Sequence, residues 1–170
     1  MEHNMKQQII VSGIGGQGVL FLTRVIAQVA VNRNIPVLTS ETHGMAQRGG
    51  TVLSCIKAGN FASPLIRTGQ ADLALILWDA NLEVHQGLLR SDGVAVINSH
   101  TGGGGIRLDA TSMARDLGNA VLTNLVLLGA AVRAGKIFCA REDCEEAIRM
   151  LAPPKFVEQN IAAFHLGLEG

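Results

Sequence analysis

Near the start of the chain, Gly13-Ile14-Gly15-Gly16-Gln17-Gly18 follows the apolar run Ile9-Ile10-Val11 and precedes Val19-Leu20-Phe21-Leu22. A glycine-rich turn between a buried strand and a helix is suited to holding an anion. Glycine permits tight turns and close backbone approach, and the first turn of a helix offers unpaired N–H groups at the positive end of its dipole. A phosphate-bearing ligand is the first expectation. Gly13, Gly15 and Gly18 also fit the G-x-G-x-x-G dinucleotide fingerprint, with Glu41 at about the interval where an acid binds a ribose hydroxyl, so NAD or FAD is an open alternative. A tight turn that binds nothing is another. A Walker loop is excluded, because no Lys-Ser or Lys-Thr pair follows the glycines.

A second dense segment is Glu41-Thr42-His43-Gly44-Met45-Ala46-Gln47-Arg48-Gly49-Gly50. The strand pattern places it just beyond the C-terminal end of a second strand, the edge at which open α/β sheets bind ligands. Arg48 is the candidate anion clamp, since guanidinium pairs with phosphate or carboxylate, and Gly49 and Gly50 admit close backbone contact. A solvated or internally bonded Arg48 is the alternative. The other motifs are weaker. Gly102-Gly103-Gly104-Gly105 reads as a second phosphate loop, a hinge or a flexible connection, and stays outside the site. His3, His43, His85, His100 and His165 share no metal-ligand spacing, so no metal site is expected.

The elements that must hold these loops alternate between strand and helix. Residues 8–12 read as a buried strand, and Leu22, Val25, Ile26 and Val29 fall at helical spacing behind the glycines. Residues 37–40 then complete a βαβ unit. Further strands are expected over 51–57, 72–78, 93–98 and 106–108, with a short helix over 81–90. Residues 125–132 are apolar all round, which marks a helix in the core or at an interface, and Gly129 within it lets a neighbour pack close. Two more helices are expected over 142–151 and 155–168, separated by Pro153-Pro154. The fold class is α/β: a doubly wound, mostly parallel, Rossmann-like sheet with helices on both faces, formed by residues 1–170 as a single domain.

Composition narrows the function. The chain has no net charge and no tyrosine, and its Lys and Arg are scattered, which argues against a nucleic-acid partner. Only 16% of residues are charged, against roughly 25% in an average soluble domain, so part of the surface is expected to be covered by another chain. No apolar stretch approaches membrane-spanning length, and the N-terminus lacks a signal core. Cys55, Cys139 and Cys144 form neither a disulfide frame nor a cluster-binding set. These features place the protein in the cytoplasm, away from membranes.

Taken together, the loop Gly13–Gly18 and the segment His-Gly-Met-Ala-Gln-Arg-Gly-Gly at 43–50 resemble the gamma-type subunit of 2-oxoacid:ferredoxin oxidoreductases, a family that includes pyruvate, ketoisovalerate and indolepyruvate oxidoreductases. The wording of the second loop is most similar to the small subunit of the indolepyruvate enzyme. The likeness extends through Ser63-Pro64-Leu65-Ile66, the strand at 72–78, and Asn124 with Leu128-Gly129-Ala130. It implies a subunit, inactive alone, of a complex that oxidatively decarboxylates a 2-oxo acid, such as an aryl pyruvate, to an acyl-CoA. It also implies that this chain contributes to coenzyme A binding through Gly13, Gly15, Gly16, Gln17, Gly18, Arg48, Gly49 and Gly50, with no catalytic residue of its own. Thiamine diphosphate, magnesium and iron-sulfur clusters would sit on partner subunits, and ferredoxin would accept the electrons. A free-standing NAD- or FAD-binding protein and a purely structural scaffold subunit are the rival readings.

Overall fold

The computed structural model describes residues 4–43 and 50–170. Strands β1 (Gln7–Ile14), β2 (Val37–His43), β3 (Thr51–Ala58), β4 (Ala71–Ile76), β5 (Leu89–Asn98) and β6 (Ile106–Leu108) form one sheet in the order β2-β3-β1-β4-β5-β6. The helices are α1 (Val19–Asn32), α2 (Asn81–His85), α3 (Ala110–Asp116), α4 (Thr123–Arg133), α5 (Arg141–Leu151) and α6 (Val157–Glu169).

The expected α/β class is borne out, and the sheet is mostly parallel: β3 alone runs against the other strands. The position of β3 alters the expected βαβ unit. The chain leaves β1 through α1 to β2, but β3 returns antiparallel into the gap between them, so β2 is an edge strand two places from β1. Proximity in sequence suggested adjacency, and the hairpin-like return of β3 overrides it.

Each strand divides its side chains between two faces, as a period of two requires. Ile9, Val11, Ile56, Leu73, Leu75 and Val96 meet α1, α4, α5 and α6 in the main core. Ile10, Cys55, Ala74, Ile76, Ala95 and Ile97 point the other way into a smaller cluster that includes Ile66 and is flanked by Leu82 and Leu88. The two faces are unequally covered. One carries the long helices, and the other carries the five-residue α2 and the irregular segment over 59–70. Right-handed crossovers account for this division, because the chain moves from β1 toward β2 in one direction and from β4 to β5 in the other. The order reverses between β1 and β4, which makes the C-terminal ends of these two strands the switch point where such sheets bind ligands.

The all-apolar segment expected over 125–132 is α4, and its residues from Thr123 to Ala131 are buried. Its glycine explains how. A Cβ on Gly129 would lie 2.2 Å from the Phe164 carbonyl oxygen, and one on Gly167 would lie 2.0 Å from that of Val126. Helices α4 and α6 therefore touch backbone to backbone, which only residues without side chains allow.

Strand β2 runs on through Glu41–His43, which were expected beyond it, β4 stops at Ile76 rather than at 78, and two elements differ more. The helix expected over 81–90 stops at His85, passes through one 3-10 turn (Gln86–Leu88), and gives way to β5 at Leu89. There Ala71 pairs with Leu89, with an irregularity before Leu73 meets Val94, so the strand claims residues that local pattern gave to the helix. Helix α3 was not expected. Asp109 caps it by accepting from the Ser112 N–H at 3.1 Å, a start signal present in the sequence but followed by too few apolar residues to stand out.

Candidate functional site

At the switch point the backbone of β1 runs on through Gly13 and Ile14, so the glycine turn begins later than the motif suggested. A Cβ on Gly13 would stand 2.8 Å from Gln17 Oε1 and 3.2 Å from Leu77 Cβ, so this position is closed by its neighbours. Gln17 folds back over the turn. Its Oε1 accepts from the Ile14 N–H at 2.9 Å, and its Nε2 donates to the Leu77 carbonyl at 3.2 Å. The side chain thus joins the end of β1 to the end of β4. Asn98, from the end of β5, donates to the same Leu77 carbonyl at 3.0 Å and so adds a third strand end to the stitch.

Gly15 and Gly16 remain exposed. Gly16 has φ +88° and open space where a side chain would be, while Gly18, with φ +76°, forms the N-cap of α1. No side chain caps this helix, and no acid lies in its first turn. Its leading N–H groups are consequently a site of positive potential. From below, Asn124 of α4 donates to the Gly18 carbonyl at 3.0 Å, which also accepts from the Leu22 N–H at 3.1 Å. Beside Gly18 lies a mainly apolar cleft of about 190 Å³ walled by Phe21, Val121, Leu122, Asn124 and Phe156.

The second loop reaches this corner through one bond that the structure describes: the Gly15 N–H donates to the Gly50 carbonyl at 3.1 Å. The glycine turn and the end of the 41–50 segment are therefore in contact. Arg48 and Gly49 lie outside the described residues. Glu41 falls in β2 opposite Ser54 of β3. The interposed β3 adds one strand spacing, roughly 5 Å, between it and the glycine turn relative to the dinucleotide arrangement.

A polar cluster under the turn was not anticipated. Ser12 Oγ is 2.7 Å from His85 Nδ1, and Asn81 Nδ2 donates both to Ser12 Oγ at 3.1 Å and to the Gly13 carbonyl at 2.9 Å. Ser12 Oγ accepts from Asn81 and keeps both a lone pair and its proton for His85 Nδ1, so the contact is satisfied by a neutral imidazole in either tautomer. Burial pushes the His85 pKa below its usual value in support of that state. These residues are separated by 69 and 73 positions, so no local spacing could reveal them. The cluster holds α2 against the floor of the turn and has no open face on Ser12, which is fully buried.

The four-glycine run is held by an arginine side chain. Arg107 donates to the Gly103 and Gly104 carbonyls at 3.2 and 3.0 Å and to that of the preceding Thr101 at 2.7 Å. Cys55, Cys139 and Cys144 are buried free thiols, and burial raises the Cys55 and Cys139 pKa values, which leaves both as inert apolar groups. Among the described residues, no group of three or more His, Cys, Asp or Glu side chains could hold a metal ion, and no helix is long and apolar enough to cross a membrane.

Comparison with known proteins gives one consistent picture. Residues 8–170 match the family described as pyruvate ferredoxin/flavodoxin oxidoreductase. The chain is 31% identical to indolepyruvate oxidoreductase subunit IorB of Archaeoglobus fulgidus, over 96% of this chain and 94% of that protein. It is 27% identical to the IorB subunit of Thermococcus kodakarensis, over 95% and 94%. Among solved structures, the gamma subunit of a keto/oxoacid ferredoxin oxidoreductase from Geobacter sulfurreducens superposes with a TM-score of 0.78 at 28% identity, covering 96% of each chain. A 2-oxoglutarate:ferredoxin oxidoreductase from Magnetococcus marinus, solved with 2-oxoglutarate, coenzyme A and succinyl-CoA bound, shares the fold at 17% identity, with a TM-score of 0.78 over 96% of this chain and 30% of its own. The chain belongs to the pyruvate ferredoxin/flavodoxin oxidoreductase family, among the gamma-type subunits of its 2-oxoacid:ferredoxin enzymes.

Proposed function

We propose that this chain is a single-domain subunit, inactive alone, that contributes the coenzyme A site to a cytoplasmic complex oxidising a 2-oxo acid. The observation that carries the reading is the uncapped N-terminus of α1 at the switch point, with Gly15 and Gly16 exposed above it and Gly50 bonded to Gly15. Such a corner suits a phosphate group. Gly15, Gly16 and the first-turn N–H groups of α1 would meet the anion. Gly13, Gln17 and Gly18 would hold the shape of the turn, and Arg48, Gly49 and Gly50 would contribute further contacts to the ligand. The adjoining apolar cleft suits a ligand whose remaining part is less polar than its phosphates.

Coenzyme A supplies the thiol that accepts the acyl group; this chain's part is to hold its anionic end in place. A catalytic acid, base or nucleophile is not assigned to this chain. Thiamine diphosphate with magnesium and the iron-sulfur clusters are assigned to partner subunits, with ferredoxin as the electron acceptor. Similarity to the two IorB subunits supports an aryl pyruvate, such as indolepyruvate, as the 2-oxo acid.

Titration of the assembled complex with coenzyme A tests the reading. Loss of a charge-assisted bond in Arg48→Ala weakens binding about ten- to a hundredfold. An unchanged affinity removes Arg48 from the site. An NAD-dependent rise in the melting temperature of the isolated chain would replace the reading with the dinucleotide one.

A further inference from the structure

At the opposite end of the strands from the glycine turn, Lys57 lies next to last in β3 beside Gln8 of β1 and is only 9% exposed. Its stem is buried while the ammonium nitrogen keeps contact with water. Among the described residues Lys57 has no carboxylate and no hydrogen-bond acceptor. Its Nζ stands 4.9 Å from the centre of the Phe61 ring, and a second cation, Lys6, stands 5.1 Å from the same ring. Lys57 lines a hollow of about 330 Å³ together with Gln8, Phe61, Ser63, Arg67 and Gln70. No acidic side chain lines it. The nearby Asp72 is already engaged, accepting from the Gln8 N–H at 2.7 Å and from Arg90 at 2.9 Å. The Arg67 guanidinium and the side-chain amides of Gln8 and Gln70 make no other polar contact among the described residues. Two unneutralised cations, two amides and a serine hydroxyl thus converge on one concave space.

We infer that this hollow is a binding site for a small oxyanion, a phosphate or a carboxylate, held by Lys57 and Arg67 beside the Phe61 ring. Phe61 masks the ammonium from water on one side, so an entering anion meets a partly desolvated charge. The site lies on the thinly covered face of the sheet and is independent of the coenzyme A reading.

The test uses the full-length chain alone, in thermal denaturation and calorimetric titration with millimolar inorganic phosphate, succinate or chloride at matched ionic strength. Phosphate or succinate raises the melting temperature relative to chloride, and whichever acts more strongly identifies the ligand chemistry. Lys57→Met abolishes that rise. Arg67→Gln, at an exposed position that leaves the fold intact, weakens binding about tenfold or more. Absence of a rise with either oxyanion overturns the assignment, which is then consistent with a partner chain's acidic side chain filling the hollow. A rise that persists undiminished in both variants also overturns it, because the anion then binds elsewhere.

Discussion

Asn124 donates its side-chain N–H to the carbonyl of Gly18 at 3.0 Å across 106 residues of sequence, and so ties the buried helix α4 to the first turn of α1. The same contact explains why position 18 is glycine. A Cβ there would lie 2.4 Å from Asn124 Nδ2, and the backbone has a positive φ. The turn is shaped from beneath by a residue in the core.

Asn124→Ala is therefore expected to cost about 1 kcal/mol of stability, the net value of one hydrogen bond. Gly18→Ala combines loss of that bond with left-handed strain and costs about 2–3 kcal/mol. Urea denaturation of both variants gives these values, and equal effects would show that the clash at position 18 is relieved by movement.

The crossing of α4 and α6 is less forgiving. With Val126 and Phe164 carbonyls in the way, Gly167→Ala or Gly129→Ala must push the helices apart. The expected loss is about 3 kcal/mol, the upper range for overpacking. An unfolding midpoint close to the parent's would sink this account.

His85 gives the fold a pH dependence whose sign is fixed by burial. Its folded pKa lies below the unfolded 6.5, so the unfolded chain takes up the proton first. Its contribution is fully present above pH 6.5 and is lost as acidity carries the pH below that value toward the folded pKa. Stability profiles of the parent and His85→Gln diverge in slope just below that point; parallel profiles would remove His85 as the source.

Arg107 is expected to govern local order more than global stability. Arg107→Ala removes two bonds to carbonyls of the four-glycine run and one to that of Thr101 before it, while the arginine itself is only half-buried. Amide hydrogen exchange over residues 101–105 accelerates, and the global unfolding free energy changes by about 1 kcal/mol or less.

Much of this architecture is legible in the sequence because burial and period speak locally. The runs Ile9–Val11 and Leu73–Ile76 lie in central strands, and the continuous apolar stretch of α4 is buried as its pattern requires. Gly129 lets a neighbour approach, as expected of it. The order of strands is not local information, and nothing in residues 37–58 says that β3 rather than β2 lies next to β1. The site divides in the same way. The glycine turn between β1 and α1 follows from its motif. Gln17's inward bonds and the Ser12–His85–Asn81 cluster depend on which strand ends meet, and a single sequence carries no sign of that.

The interposed strand also sets an order of events during synthesis. Neither β1 nor β2 has a neighbour to bond until residues beyond Gly50 leave the ribosome, since β1 pairs with β3 and β4, and β2 pairs with β3 alone. The corner at the glycine turn is therefore a late product of chain growth. A nascent chain cut before Thr51 carries every residue of both glycine segments and has no sheet on which to mount them.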